Sequence, residues 1–156
     1  MPVKPIPEGY HVVTPYLIVK GALRAIEFYK KAFGASEVMR FDGPDGKIGH
    51  AEIRIGDSPV MLADEYPDMG FRSPQSLGGP GVSLMVYVEQ VDDMFARAIS
   101  AGAKQLRAVQ DQFYGDRSGT LEDPFGHVWT LSTHIEDVPR EELRKRAQEA
   151  VKRATA

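Results

Sequence analysis

This chain has no cysteine, so any chemistry it does must come from imidazole, carboxylate, hydroxyl and thioether groups. Thiolate nucleophiles, thiolate metal sites and disulfide frameworks are excluded. Four histidines remain. His50 and Glu52 lie two apart in Gly49-His-Ala-Glu-Ile-Arg-Ile55, which alternates as a strand does, so both leave the same face. An imidazole beside a carboxylate is a candidate acid/base pair. The same residues also fit a surface histidine and a glutamate paired with Arg54. His11, His127 and His134 stand apart from them in sequence. No Ser-His-Asp order is visible, and Gly78-Gly-Pro-Gly81 fits a linker better than a phosphate loop.

A second group offers binding rather than reaction. Thr14 and Tyr16 share one face of a first strand, opposite Leu17 and Val19. Ser83, Met85 and Tyr87 share one face of another, opposite Leu84, Val86 and Val88. Met61 alternates with Val60 and Leu62, and Thr130 with Trp129 and Leu131. One face is apolar and suits covering helices, with Trp129 in the core. The other mixes hydroxyls, thioethers and phenols, a composition that suits a half-apolar ligand pocket. It also suits contact with solvent or a second copy. In Asp111-Gln-Phe-Tyr-Gly-Asp-Arg117, Phe113 and Tyr114 could wall such a pocket. Arg117 could bind an anionic ligand through its fork of donors, or form an ion pair that holds the segment.

The elements that position these residues repeat once. A shift of 69 residues takes Thr14 to Ser83, Val19 to Val88 and Met61 to Thr130. It also carries the helical face Ala22, Ile26, Tyr29 onto Val91, Phe95, Ala98. Gly34 and Gly102 stand where helix C-caps belong. Each half reads β-α-β-β-β, with modules over about 8–64 and 81–135. The segment 65–80, rich in Gly, Pro and Ser, is expected to be a mobile linker. Residues 136–156 form a charged C-terminal helix, capped by Asp137 with Pro139 and Glu141 following. The pattern predicts an α+β fold of two βαβββ modules forming a cupped mixed sheet.

Thr14-Pro-Tyr-Leu-Ile-Val-Lys-Gly-Ala22, Ala25-Ile-Glu-Phe-Tyr-Lys-Lys-Ala-Phe-Gly34 and Gly49-His-Ala-Glu-Ile-Arg-Ile-Gly56 resemble the vicinal-oxygen-chelate superfamily. This is the fold of glyoxalase I and of bleomycin- and fosfomycin-resistance proteins. Asp111 to Gly119 running on to Asp123-Pro-Phe-Gly-His-Val-Trp129 resembles its PhnB-like branch most specifically. The resemblance covers roughly residues 8 to 135. It implies, for the metalloenzymes of the superfamily, an ion held in the cup by side chains from the first and last strands of both modules. Carried onto this chain, those positions are Thr14, Met61, Ser83 and Thr130, none a good ligand for a transition metal.

The expected function is therefore a metal-free small-molecule-binding protein without cofactor. It would sequester an aromatic or anionic ligand at Thr14, Tyr16, Met61, Ser83, Met85, Tyr87, Phe113, Tyr114, Arg117 and Thr130. The alternatives are a metal-dependent lyase, isomerase or dioxygenase, a metal-free enzyme using His50 or Glu52 as base, and an interaction module. The fold also implies a homodimer. A net charge of -3 gives no footprint for nucleic acid. No apolar run is long enough to span a membrane, and the chain is expected to be cytoplasmic.

Overall fold

The computed structural model describes residues 2–156. Two copies of one unit follow each other. The first comprises β1 (Tyr16–Val19), α1 (Ala22–Phe33), β2 (Ser36–Asp42), β3 (Ile48–Ile55) and β4 (Ser58–Asp64). The second comprises β5 (Ser83–Tyr87), α3 (Val91–Ala101), β6 (Lys104–Asp111), β7 (Asp116–Glu122) and β8 (Val128–His134). Between them lies a short helix α2 (Pro74–Leu77), and after them α4 (Arg140–Thr155). The sheets have orders β1-β4-β3-β2 and β5-β8-β7-β6, each with one parallel pair, so both are mixed.

The repeat read from the sequence is a repeat in space. Tyr16 pairs with Met61 in the first sheet, and Met85 with Thr130 in the second. These are the same two positions of the unit. The helices are placed by the same device in both. The Asp64 carboxylate accepts from the backbone N–H groups of Gly21 and Ala22, at 2.8 and 3.0 Å. At the equivalent position, the Thr133 hydroxyl accepts from Val91 N–H at 3.0 Å. Each strand end thereby satisfies donors that the first turn of its helix leaves free.

Alternation sorts the faces as expected. Leu17, Val19, Ala51, Ile53, Ile55, Val60 and Leu62 are buried under α1, while Leu121, Trp129 and Leu131 are buried under α3. The two units meet through their helices. Phe28, Tyr29 and Phe33 of α1 reach Phe125 and Trp129 of the second unit, with ring centroids 4.9–6.4 Å apart across that boundary. Such pairs add about 0.5–1.5 kcal/mol each beyond the area they bury. Because helix packing joins the units, the sheets stay separate within one chain. No strand pairing crosses between them among the described residues, so one chain does not close a continuous cupped sheet.

Two local expectations change. The linker is folded rather than a loose tether. Tyr66 and Phe71 bridge, Ser73 is fully buried, and Glu65 accepts from Ser73 N–H and the Ser76 hydroxyl, both at 2.8 Å. Those bonds from Ser73 and then Ser76, with Lys20 nearby, hold the Glu65 carboxyl down to about 2. Asp137 does not cap α4. The helix starts after Pro139, and the Asp137 carboxylate lies 2.8 Å from His134 Nε2 instead.

Candidate functional site

The mixed face of the first sheet carries a chain of polar contacts. Glu52 and His50 occupy the same face of β3, two residues apart, as strand geometry requires. His50 Nε2 is 3.1 Å from Glu52 Oε1. A carboxylate only accepts, so Nε2 is assigned the proton and Nδ1 the lone pair. Nδ1 lies 2.8 Å from the Tyr16 hydroxyl, which then donates to it. Tyr10, from the segment before β1, donates to the other oxygen of Glu52. These bonds, Tyr10 first and His50 second, outweigh burial and hold the Glu52 carboxyl below its ordinary range. Burial, then the Glu52 charge, pushes the Tyr16 phenol up. Met61 lies beside Tyr16, and Met39 and Phe41 of β2 extend the same face.

The second sheet carries a counterpart built on a buried carboxylate. Asp116 is 4% exposed and accepts from the Tyr87 hydroxyl at 2.9 Å and the Ser132 hydroxyl at 3.1 Å. His134 Nδ1 lies 2.8 Å from its other oxygen. Burial pushes Asp116 up, but the bonds from His134, Tyr87 and Ser132 prevail and hold it below the usual carboxylate range. His134 is drawn upward by Asp116 first and Asp137 second. Thr120 and Thr130 hydroxyls meet at 3.0 Å further along this face. Met85 and Tyr87 project from β5 and are exposed.

The residues expected from sequence to bind a ligand fall into groups. Tyr16 and Met61 join the His50–Glu52 pair. Met85, Tyr87 and Thr130 share the second sheet. Thr14 precedes β1, and Ser83 begins β5. Phe113 and Tyr114 form the β6–β7 turn, ring edge to ring face, and Tyr114 reaches 3.5 Å from Ser118 on the mixed face. Arg117 sits on the opposite, helix-bearing face. Its guanidinium makes two bonds of 2.8 Å to Asp92 on α3 and one of 2.9 Å to Asp111. Between the two readings of Arg117, the geometry is that of the ion pair holding the segment.

Sequence reading missed Tyr10, Asp116, Ser132 and His134 as partners. Tyr10 lies in a segment without periodicity, so no alternation assigns it a face. Asp116 was visible only as the neighbour of Arg117, yet strand parity puts it on the Ser118 and Thr120 side. That parity was the available signal. Among the described residues no group of three or more His, Asp or Glu side chains comes together as a metal set. The positions to which the resemblance carries the superfamily's metal ligands, Thr14, Met61, Ser83 and Thr130, hold two threonines, a serine and a methionine. This donor set does not fit a divalent transition metal.

Two concavities touch these faces. A cleft of about 1150 Å³ runs along the β5 edge, between His11, Val13 and the β3–β4 turn at Asp57 on one side and, on the other, the apolar Leu84, Val86 and Trp129 together with Met85, Tyr87 and His134. A smaller one of about 230 Å³ lies on the first sheet's mixed face beside Tyr16 and Ile18, walled by Tyr66, Met69 and Phe71 of the folded linker.

Known proteins resemble this arrangement. The family model of the glyoxalase/bleomycin resistance protein/dioxygenase superfamily matches residues 10–131. An uncharacterized protein of Mycobacterium bovis is 46% identical over 134 residues, covering 84% of this chain and 88% of its own. The crystal structure of TioX from Micromonospora sp. ML1 superposes with a TM-score of 0.62 at 27% identity, covering 79% of this chain and 98% of its own. A PhnB protein of Bacillus cereus shares the fold with a TM-score of 0.63 at 22% identity, covering 79% and 99%.

Proposed function

Since the chain belongs to the glyoxalase/bleomycin resistance protein/dioxygenase superfamily, we propose that it binds a small aromatic or anionic organic molecule on the mixed faces of its sheets, without a metal held by its own residues. The observation that carries this is the asymmetry of the sheets. One face of each is sealed by a helix, while the other leaves Tyr16, Met39, Phe41, Met85 and Tyr87 exposed. Apolar and aromatic side chains left exposed on each open face mark binding surfaces. On the second sheet the half-buried hydroxyls of Thr120 and Thr130 lie beside Met85 and Tyr87 and supply polar contacts that orient a ligand.

The cup is completed by a second copy. β1 and β5 are edge strands with one neighbour each, and Leu84 and Val86 on β5 are only half-buried. Pairing of two chains sets the first sheet of one beside the second sheet of the other. The His50 and Asp116 networks then flank one ligand.

A thermal-shift and calorimetric screen of aromatic and anionic small molecules tests this. A hit should bind Tyr16→Ala and Tyr87→Ala at least tenfold more weakly, about 1.4 kcal/mol. The reading fails if nothing binds, or if both variants bind as well as the parent. Stoichiometric transition metal in protein purified without chelator would instead favour a metal-dependent lyase, isomerase or dioxygenase. Light scattering settles the copy number.

A further inference from the structure

Tyr10, Glu52, His50 and Tyr16 form an unbroken run of hydrogen bonds graded from shielded to open. The Glu52 and His50 side chains are 14% and 25% exposed, whereas Tyr16 is 46% exposed. The Tyr16 hydroxyl is therefore the most open point of the run for a ligand to meet. The His50 ring is fixed on both sides, by Tyr16 at 5.5 Å and Phe41 at 6.2 Å between centroids. Glu52 fixes its tautomer, and Tyr10 fixes Glu52. The strands of this sheet are paired through their backbones independently of these side chains. The open end borders the small cleft walled by Tyr66 and Phe71.

We propose that this chain is a proton relay serving a small planar ligand with a weakly acidic hydroxyl, a phenol or an enol, seated in that cleft. The proposal rests on the ligand-binding reading above and adds to it the ligand class and a chemical step. The ligand O–H donates to Tyr16 Oη, while Tyr16 donates to His50 Nδ1. The ligand proton moves to Tyr16 as the Tyr16 hydrogen moves to Nδ1. The products are a ligand oxyanion, a neutral Tyr16 now donating to it, and an imidazolium that keeps its Nε2–H on Glu52. One proton is relocated, no electrons change hands and no co-reactant is required. The Glu52 charge stabilises the imidazolium at hydrogen-bond range.

The chemistry selects the ligand. A carboxylic acid has already lost its proton near neutral pH and offers the relay nothing. An aliphatic alcohol holds its proton too strongly for an imidazole to take it. Phenols and enols lie between, and their flat faces suit a cleft lined by the rings of Tyr16, Tyr66 and Phe71. The ionisable groups that face His50 are Tyr16, Glu52 and, through Glu52, Tyr10, with Arg54 next along β3.

The probe is 4-nitrophenol, whose phenolate is yellow. Binding is measured by equilibrium dialysis, and ionisation of the bound probe by absorbance across pH. In the parent protein the bound probe should ionise at least one pH unit lower than the free probe. In His50→Gln the probe should still bind, with the downward shift abolished. In Tyr16→Phe, which removes the hydroxyl the ligand contacts, binding should weaken and the probe that does bind should show no shift. Glu52→Gln tests the positioning role and should cut the shift while leaving affinity within a few-fold. Circular dichroism verifies that each variant is folded. Binding with unshifted ionisation, or a shift that survives His50→Gln, overturns the relay and leaves the binding reading standing. Absence of probe binding to the folded parent overturns the proposed ligand class, while the wider screen still judges whether the cup binds anything.

Discussion

The Tyr29 hydroxyl, on the helix of the first unit, donates to the Asp123 carboxylate of the second at 2.6 Å. Asp123 also accepts from Trp129 Nε1 at 2.8 Å and from the backbone N–H groups of Phe125 and His127. One buried carboxylate thus shapes its own turn, orients the core tryptophan and ties the two units together. Burial, then Asp123, pushes the Tyr29 phenol far up, so it stays a donor. This explains the Asp123-Pro-Phe-Gly-His-Val-Trp129 run as a structural knot rather than a ligand site.

Tyr29→Phe should cost about 1–3 kcal/mol, because it leaves the buried Asp123 carboxyl short of one bond. Asp123→Ala should cost more, roughly 3–5 kcal/mol, since it strands several buried donors together. Urea unfolding measures both. Binding on the mixed faces should persist in whatever fraction remains folded, because neither residue reaches them.

Gly119 lies where the second sheet receives Phe95 from α3. A β-carbon there would stand 2.8 Å from both Phe95 Cε2 and Val109 Cγ2. The equivalent strand position in the first unit is Ala51, under a helix whose matching residue is Ile26. Where the helix side chain grows, the strand side chain shrinks. Gly119→Ala should therefore destabilise by about 1–3 kcal/mol through overpacking. Phe95→Leu should recover part of that loss in the double variant, which a double-mutant cycle in denaturant reads directly.

Much of this was legible in the sequence because strand and helix periods are short. Alternation alone placed Leu17, Val19, Ile53, Leu62, Trp129 and Leu131 inward and Tyr16, His50, Glu52, Met85 and Thr130 outward. The matched pairs Tyr16–Met61 and Met85–Thr130 follow from the repeat. What stayed hidden depends on contacts between distant segments. Tyr10 finds Glu52 across 42 residues, and Tyr87 finds Asp116 across 29. Arg117 was ambiguous because its partner Asp92 lies on a helix whose approach no local pattern specifies. The linker looked loose by composition, yet Glu65, Ser73 and Ser76 knit it together.

The two helix caps should differ in strength. Asp64 accepts from Gly21, Ala22 and also Ile48 N–H, the last at 2.7 Å. Thr133 accepts from Val91 alone and passes its own proton to Val88 C=O at 2.8 Å. Asp64→Ala should cost roughly 2–4 kcal/mol, a cap plus two further stranded donors. Thr133→Val should cost about 1 kcal/mol. Thermal unfolding of the two variants should rank them in that order, and equal losses would contradict the assignment.

His134 gives the second unit a pH dependence of definite sign. Asp116 first, and Asp137 second, raise its folded-state pKa above the ordinary imidazole value of about 6.5. The stabilising charge pair is therefore fully present below that ordinary value. It is lost as pH rises through the raised folded value, where the native imidazole finally gives up its proton. Asp116 shows the opposite sense, since its folded pKa is depressed. Its contribution is present above the unfolded carboxylate value and disappears as pH falls through the lower folded one. The two groups together should give a stability maximum on the mildly acidic side of neutral. NMR titration of His134 should return a value above 6.5 in the parent and a lower one in Asp116→Asn. A His134 that titrates identically in both proteins would show that its partner is not Asp116.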